Sequence, residues 1–411
     1  MSDCCSAPGL LPFTDALSKM VSQITPVTEC LWLNPDETLD YILAENVTSP
    51  LNVPPHNNSA MDGYAFALES LQQSRQLTLV GRSMAGAPYQ EKCNLGQCVR
   101  IMTGAKMPAD CDSVEMQENC EALDEQITFL EEKKLGSHVR KAGEDIKEGQ
   151  TVLVKGQKIS AVDIGILASL GVEKVKVFRK LTVALIATGD ELKVPGQTLN
   201  DGDIFESNSS CLAAMLKKLH VEIINYGVIK DDFDAIKAAF IDADQKADAV
   251  ISSGGVSVGD ADYTKTVLDE LGDIGFWKVA MKPGKPFAFG KLPHSVFFGL
   301  PGNPVSALVT FHQLALVALR KMQNAQPLNR TRLKVKTTTR LRKSAGRMDF
   351  QRGLLSFNES GENVVTSTGA QGSGILSSLA KANCYIVLEA NQGNVAADDY
   401  VTVELFDEFL K

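Results

Sequence analysis

The stretch Ala249–Gly259, AVISSGGVSVG, decides the fold of this chain. Its apolar start, Ala249–Ile251, has the pattern of a buried strand and changes abruptly into serine and glycine. Glycines let a backbone turn sharply away from a strand end and leave main-chain N–H groups uncovered. Open α/β sheets bind ligands, phosphates in particular, at such turns after parallel strands. Sharp turns also need glycine for steric reasons alone, so the surrounding sequence must decide between a structural turn and a binding loop.

Strands and helices alternate on both sides of this stretch, between residues 181 and 321. The apolar patterns predict strands over Thr182–Ile186, Val221–Ile229 and Asp248–Ile251, and helices over Asn208–Leu219, Phe233–Ala243, Tyr263–Leu271 and Val305–Leu319. This alternation predicts a parallel sheet with right-handed crossovers. The carboxyl ends of parallel strands share one edge, so we expect the carboxylates and glycine turns that follow the strands to lie there together.

The regions on either side have different patterns. Helical spacing predicts helices that begin near Phe13, over Asp36–Glu45 and over Ile159–Leu170. Residues 66–135 contain short apolar runs between turn residues, which predicts a β-rich region with a solvated hairpin edge over Glu121–Lys134. After residue 327, alternating strands predict a small β-barrel or sandwich.

The composition is that of a soluble globular protein, with 44% hydrophobic and 22% charged residues. The formal net charge of −9 argues against a general nucleic-acid-binding surface. The longest apolar segment, Val305–Leu319, is interrupted by polar residues, and Met1–Pro12 lacks the basic start and apolar core of a signal peptide. We therefore expect a cytoplasmic protein with neither a membrane nor a nucleic-acid partner, whose nine cysteines are reduced thiols.

Four kinds of functional group are expected at the predicted sheet edge. They are the main-chain amides of Gly254 and Gly255, the hydroxyls of Ser257 and Ser306, the ammonium groups of Lys278, Lys282 and Lys285, and the carboxylates of Glu191, Asp231 and Asp262. Amides and ammonium groups suit an oxyanion, whereas carboxylates repel it unless a hard cation such as Mg²⁺ bridges the two. The chain has no Walker A motif and no nucleophile elbow. The residues alone predict a metal-assisted phosphoryl or oxyanion-transfer centre that works by positioning and electrostatics.

Seven segments carry a family resemblance. They are NNSAMDGYA (57–65), RIMTGA (100–105), AGEDI (142–146), SSGGVSVGDADYTK (252–265), KPGKP (282–286), GLPGNPVS (299–306) and GRMDFQRG (346–353). In this order, over nearly the whole chain, they resemble the molybdopterin molybdenumtransferase family. That family comprises the bacterial MoeA proteins, the E domain of gephyrin and the matching domain of their plant counterpart.

The resemblance implies a multidomain α/β plus β fold. Its parts are an elongated N-terminal domain of helices and strands (1–50 with 141–180), a β-rich second domain (51–140), a central doubly wound α/β domain of the molybdopterin-binding type (181–325) and a small C-terminal β-barrel (326–411). It also implies an elongated homodimer, in which the β-rich domain contributes to the partner's site. The molybdopterin adenylyltransferase and downstream cofactor-maturation proteins are candidate protein partners.

The resemblance further implies a transferase that inserts molybdenum from molybdate into adenylylated molybdopterin and releases AMP, with Mg²⁺ as cofactor. Glu191 and Asp262 would hold the Mg²⁺, with Asp231 near them. The substrate phosphates would be cradled by Gly254, Gly255 and Ser257 and neutralised by Lys278, Lys282 and Lys285. The remaining assignments are Pro301, Pro304 and Ser306 in the pocket floor, Arg352 and Ser373 in molybdate capture, and Asp62, Thr103 and Asp145 reaching the site from the partner subunit.

Two other functions compete with this interpretation. A molybdopterin adenylyltransferase shares the glycine loop, but such proteins are small and have one domain, unlike this chain of 411 residues. A non-catalytic scaffold of the gephyrin E-domain type does not explain the lysines and carboxylates expected at the sheet edge. From local chemistry alone, the polar run around Asp62 is a surface Asx turn.

Overall fold

A computed structural model describes residues 9–255 and 263–411 of the chain. Within these ranges the strands form three six-stranded sheets and four two-stranded ribbons. No helix in the same ranges is long and apolar enough to cross a membrane.

The first part of the chain combines short ribbons with one larger sheet. Its elements are α1 (Phe13–Gln23), β1 (Cys30–Leu33), β2 (Val47–Thr48), β3 (Asn58–Ser59), β4 (Gly63–Phe66), α2 (Leu68–Gln73), β5 (Gln76–Ser83), β6 (Gln97–Ile101), β7 (Ser113–Met116), β8 (Cys120–Leu123), β9 (Gln126–Phe129), β10 (Val139–Arg140), β11 (Thr151–Leu153), α3 (Ala161–Ser169) and β12 (Val175–Phe178). Strands β1, β2 and β3 pair antiparallel with β12, β11 and β10, so the chain leaves this region and returns to it. The sheet in between has the order β7-β4-β6-β5-β9-β8, and the predicted hairpin, β8 with β9, forms its edge.

Local sequence signals explain one predicted helix and the failure of another. Helix α3 begins at Ser160, whose hydroxyl accepts the N–H of Asp163 in a capping box. The helix predicted over Asp36–Glu45 is wrong: only a 3₁₀ turn over Pro35–Glu37 forms. Asp40 then adopts a positive φ of 65°, which ends helical geometry, and the apolar residues after it bridge to other strands.

The central part of the chain forms the doubly wound sheet. Its elements are β13 (Thr182–Thr188), β14 (Leu192–Lys193), β15 (Ile204–Phe205), α4 (Asn208–Lys218), β16 (Glu222–Ile229), α5 (Phe233–Lys246), β17 (Ala249–Ser253), α6 (Tyr263–Leu271), β18 (Asp273–Lys278), β19 (Met281–Lys282), β20 (Pro286–Lys291), β21 (Val296–Leu300), α7 (Pro304–Thr310) and α8 (Leu316–Met322). The sheet order is β16-β13-β17-β21-β20-β18. The first four strands are parallel as predicted, whereas β20 and β18 add an antiparallel extension that the sequence analysis misses.

Both faces of this sheet are covered by helices. Alternate residues of β13 point to opposite faces, so Leu185 packs in a cluster with α4 and α7, and Ile186 packs in a cluster with α5 and α6. The predicted helix over Val305–Leu319 is buried, and a π-helical turn over Phe311–Ala315 separates α7 from α8.

The last part of the chain is a closed barrel. Its elements are β22 (Arg332–Thr337), β23 (Met348–Phe357), β24 (Asn363–Ser367), α9 (Leu376–Lys381), β25 (Cys384–Leu388) and β26 (Tyr400–Leu405). The order β23-β24-β22-β26-β25 closes because β23 also pairs with β25. Of the two predicted alternatives, the structure is therefore the barrel. Strand β19 of the central region joins it by pairing parallel with β23.

A buried polar network joins the π-helical turn to the barrel. His312 contacts Asp407 through Nε2 and Oδ1 at 2.9 Å, and Gln313 donates to Glu404 at 2.8 Å. Arg330 donates to the Gln313 side-chain oxygen at 2.8 Å. Burial lowers the pKa of His312, although the hydrogen bond with Asp407 opposes this shift. The imidazole is therefore held neutral in the folded protein.

We expect this histidine to make the protein sensitive to mild acid. In the unfolded chain a histidine titrates near about 6.5, so below that pH the unfolded state binds a proton that the folded state does not. The free energy of unfolding should then fall as the pH decreases, by at most about 1.4 kcal/mol per pH unit for one group. Urea unfolding between pH 7 and 5 should show a shallower decrease for His312→Gln than for the wild type. Identical pH dependence in both proteins would contradict the assignment.

Candidate active site

A cavity of about 710 Å³ lies where the parallel strands of the central sheet end. Its walls come from the turns that follow β13, β17 and β21, together with the start of α4 and Asp231 after β16. The strands are parallel neighbours, so their carboxyl ends meet at one edge, where sheets of this type bind ligands. The structure thus brings together the turns that the sequence analysis expects at one edge.

The side chain of Asn208, at the start of α4, ties two of these turns together. Its Nδ2 donates to the hydroxyl of Ser253 at 2.8 Å and to the main-chain oxygen of Gly302 at 2.7 Å. The N–H of Gly254 donates to the main-chain oxygen of Leu300 at 3.1 Å. These bonds fix the ends of β17 and β21 against each other and against α4, which gives the cavity a defined shape.

The two glycines of the predicted loop have different roles. Both have left-handed backbones, with φ of +95° at Gly254 and +64° at Gly255. A Cβ would lie 2.8 Å from the main-chain oxygen of Thr188 in the first case and 2.7 Å from the Cβ of Thr264 in the second. The expectation that both N–H groups are available is wrong for Gly254, which donates to Leu300. The N–H of Gly255 donates to no acceptor among the described residues and is the one that can bind an anion.

Three carboxylates line the cavity, those of Glu191, Glu206 and Asp231. The carboxylate of Glu191 folds back over Gly189, where a Cβ would lie 2.7 Å from Oε2. No lysine or arginine belongs to the described lining, so this wall of the cavity is acidic. Oxygen donors of this kind fit a hard cation such as Mg²⁺. Asp262, the other predicted Mg²⁺ ligand, and Ser257 lie outside the described residues.

The predicted lysines lie on the segment that leads from β18 to β20. Lys278 and Lys285 are exposed, and Lys282 is half-buried with its Nζ 3.5 Å from Oδ2 of Asp349. Pro286, at the end of this segment, lines the cavity, but none of the three lysines does. Their charges are thus carried by the adjoining segment and not by the cavity lining.

The proline turn after β21 meets the barrel. Pro301 and Pro304 line the cavity, and Ser306 is buried in the first turn of α7. The N–H of Val305 donates to the main-chain oxygen of Ser373 at 2.9 Å. The barrel loop that carries Ser373 therefore touches the helix start that carries Ser306, two segments that the resemblance assigns to the same site.

Arg352 is placed differently from what its assigned role suggests. Its side chain is buried, and its guanidinium donates to the hydroxyl of Ser378 at 3.0 Å and to the main-chain oxygen of Gly372 at 3.2 Å. Burial lowers its pKa. In this structure Arg352 holds the loop that carries Ser373, and its contact with molybdate stays a prediction.

The residues assigned to the partner's site lie apart from the central cavity. Oδ1 of Asp62 accepts both the N–H and the hydroxyl of Thr103, each at 2.7 Å, and these bonds lower the pKa of Asp62. Both residues are exposed. Asp145 is also exposed and lines a separate cavity of about 500 Å³ with Asn58 and Glu144. None of these residues lines the central cavity of its own chain.

Sequence reasoning missed several residues of the cavity wall. Glu206 and Asn208 belong to the polar run that precedes α4, and this run was the available signal because free N–H groups occur at helix starts. Phe205 and Tyr263 also line the cavity, with 46% and 49% of their surface exposed. Their aromatic faces give the acidic cavity an apolar side.

The crowding around Gly255 predicts a measurable cost of substitution. Gly227 is a matched control, because its φ of +70° resembles the +64° of Gly255 while a Cβ there would meet nothing within 4 Å. Both alanine variants carry the strain of a left-handed backbone. Gly255→Ala should lower the free energy of unfolding by about 1–3 kcal/mol more than Gly227→Ala, because its Cβ also overlaps Thr264. Equal losses in denaturant unfolding would show that the loop is not packed as described.

Three family models match consecutive parts of the chain. The MoeA N-terminal region (domain I and II) matches residues 11–171, a probable molybdopterin binding domain matches residues 184–321, and the MoeA C-terminal region (domain IV) matches residues 334–406. The order of these matches follows the order of the three six-stranded sheets along the chain.

Whole-length relatives carry consistent names. A molybdopterin molybdenumtransferase of Haemophilus influenzae is 46% identical over 404 residues, which cover 98% of this chain and 100% of the relative. One of Nostoc sp. is 36% identical over 374 residues, 88% of this chain and 85% of the relative. Gephyrin of Dictyostelium discoideum is 32% identical over 444 residues, 95% of this chain and 61% of that protein.

The fold agrees with a solved relative. The crystal structure of a molybdopterin biosynthesis moeA protein from Pyrococcus horikoshii superposes with a TM-score of 0.84 at 29% identity, covering 97% of this chain and 100% of that one. This agreement confirms the predicted fold class. By sequence and by structure, the chain belongs to the molybdopterin molybdenumtransferase family, whose members are transferases of molybdenum cofactor biosynthesis.

Proposed function

We propose that this chain inserts molybdenum from molybdate into adenylylated molybdopterin and releases AMP. The observation that carries the proposal is the cavity at the sheet edge, which the N–H of Gly255 shares with the carboxylates of Glu191 and Asp231. A substrate with linked phosphates needs fixed donors for its oxygens and a cation that offsets the acidic wall. The names of the full-length relatives support molybdenum as the transferred atom.

The chain's own groups divide the work. We assign Glu191 to the Mg²⁺ together with Asp262, and Asp231 to the same wall. When bound, Mg²⁺ supplies positive charge between the substrate phosphates and these carboxylates. The N–H of Gly255 donates to a phosphate oxygen, and the exposed Lys278 and Lys285 add positive charge from the adjoining segment. All of these groups hang on strand ends that are fixed before binding, so the site does not have to reorganise around developing charge.

We also propose that the protein works as a cytoplasmic homodimer with shared sites. Asp62 and Thr103 form an exposed, ordered pair on the β-rich sheet, and a hydrogen-bonded surface carboxylate of this kind is suited to contact a second molecule. Because neither residue lines the cavity of its own chain, a second subunit is the natural recipient. Asp145 lies on the same part of the chain and belongs to the same proposal.

The reaction can be tested with purified protein, adenylylated molybdopterin, Mg²⁺ and molybdate. AMP release should require both molybdate and the cation. Glu191→Gln, which keeps the shape of the side chain and removes its charge, should lower the rate about 100-fold, in line with losses at metal sites. Glu222→Gln is the control, because Glu222 lies at the opposite end of the same sheet and is exposed, and it should keep the wild-type rate.

Each alternative function gives a different result in this assay. AMP release that does not depend on molybdate would contradict molybdenum insertion, and no release under any condition would favour a scaffold. A wild-type rate in Glu191→Gln would remove this residue from the site.

Shared sites can be tested with mixed dimers. Asp62→Ala and Glu191→Ala should each be inactive alone, because each breaks both sites of its own homodimer. After the two variants are unfolded together and refolded, half of the dimers should be hybrids with one intact site each. We expect recovery of about a quarter of the wild-type rate of AMP release. Lack of recovery, with hybrids verified by a tag on one variant, would contradict the shared site.

A further inference from the structure

We infer that Asp349 is a positioning residue that orients the ammonium group of Lys282 toward an anionic group of the substrate. This inference rests on the proposed function and deepens it, since the resemblance assigns a role to Lys282 and none to Asp349. Four observations carry it: the burial of Asp349, its pairing with Lys282, the way the lysine segment is attached to the barrel, and the partial exposure of the lysine.

Asp349 is a buried carboxylate that needs a counter-charge. The residue is 3% exposed, and its Oδ2 lies 3.5 Å from Nζ of Lys282 and accepts a hydrogen bond from Gln351 at 3.1 Å. The neighbouring Lys343 donates to main-chain oxygens instead, among them that of Gln392 at 3.1 Å. Within the described ranges, Lys282 is therefore the cation in ion-pair contact with Asp349. A buried carboxylate without such a partner is strongly unfavourable.

The main chain delivers Lys282 to this carboxylate. Strand β19 lies parallel to β23, with Lys282 in register with Asp349, and the N–H of Met348 donates to the main-chain oxygen of Ala280 at 2.9 Å. On the other side, Gly284 has a φ of +103° and packs so closely that a Cβ would collide with the hydroxyl of Thr310. The barrel and α7 thus hold the backbone of the lysine segment, and Asp349 holds the end of the side chain.

The ion pair leaves Lys282 able to bind a second anion. The Lys282 side chain remains 44% exposed, and an ammonium group has three donors, of which Asp349 uses one. The carboxylate offsets part of the positive charge, so it does not strengthen the general attraction of anions. It fixes the direction of the remaining donors, and orientation of that kind raises turnover more than it raises ground-state affinity.

This role predicts a separation of kinetic constants in the AMP-release assay. Asp349→Asn keeps the shape of the side chain and frees Lys282, so kcat should fall about tenfold while the KM for molybdate stays the same or decreases. Lys282→Gln should lose more activity, and the double variant should be no worse than Lys282→Gln because Asp349 acts through the lysine. Asp242→Asn is the control, because it removes the carboxylate of an ion pair between exposed side chains, Asp242 with Lys246, and should leave both constants unchanged.

Two kinetic results would overturn the inference. An increase in KM with no change in kcat would mean that Asp349 contributes only to ground-state binding. A tenfold loss from Asp349→Asn on top of Lys282→Gln would mean that Asp349 acts independently of the lysine.

Thermal unfolding separates this inference from the proposed function. Lys282→Gln should lower the Tm because it leaves a buried carboxylate unpaired, and the addition of Asp349→Asn should restore most of that loss. If the wild type releases no AMP, the proposed function fails, and recovery of the Tm still reports the pair. If Lys282→Gln leaves the Tm unchanged, or the double variant does not recover, the pair does not exist in solution and the inference is wrong.

Discussion

The amide of Asn208 is the contact on which the cavity depends. Its nitrogen joins the end of β17, through Ser253, to the turn after β21, through Gly302. The amide is buried, so losing these bonds would leave polar atoms without partners, and the two turns are unlikely to separate at low cost. Gly254 adds a main-chain bond to Leu300 in the same place. The shape of the site is thus set by side-chain and main-chain bonds at strand ends, before any ligand is present.

The charges of the candidate site are divided between two parts of the chain. The cavity wall carries the carboxylates of Glu191, Glu206 and Asp231, and the lysines lie on a segment that the barrel holds through β19. An acidic wall cannot bind a phosphate group by itself, which is the physical reason for a cation in the proposed reaction. The barrel is therefore part of the site, because it fixes the segment from which the positive charge comes.

Local patterns in the sequence predicted the features that depend on neighbouring residues. Periodicity identified the strands that surround the glycine loop, and the loop does lie at their shared edge. The helix predicted over Asp36–Glu45 failed because a single residue, Asp40, adopts a positive φ that periodicity cannot reveal. The partners of Lys282 and Arg352 and the bond made by the N–H of Gly254 were beyond prediction, since each depends on a segment distant in sequence. Asp62 and Thr103, 41 residues apart, were grouped by the family resemblance and not by spacing.

A crystal structure of the protein with AMP and Mg²⁺ would test the account most directly. The account predicts a phosphate oxygen of AMP within about 3 Å of the main-chain nitrogen of Gly255 and the Mg²⁺ on a carboxylate oxygen of Glu191. A phosphate bound away from the glycine loop, or a cation that leaves Glu191 without contact, would contradict it.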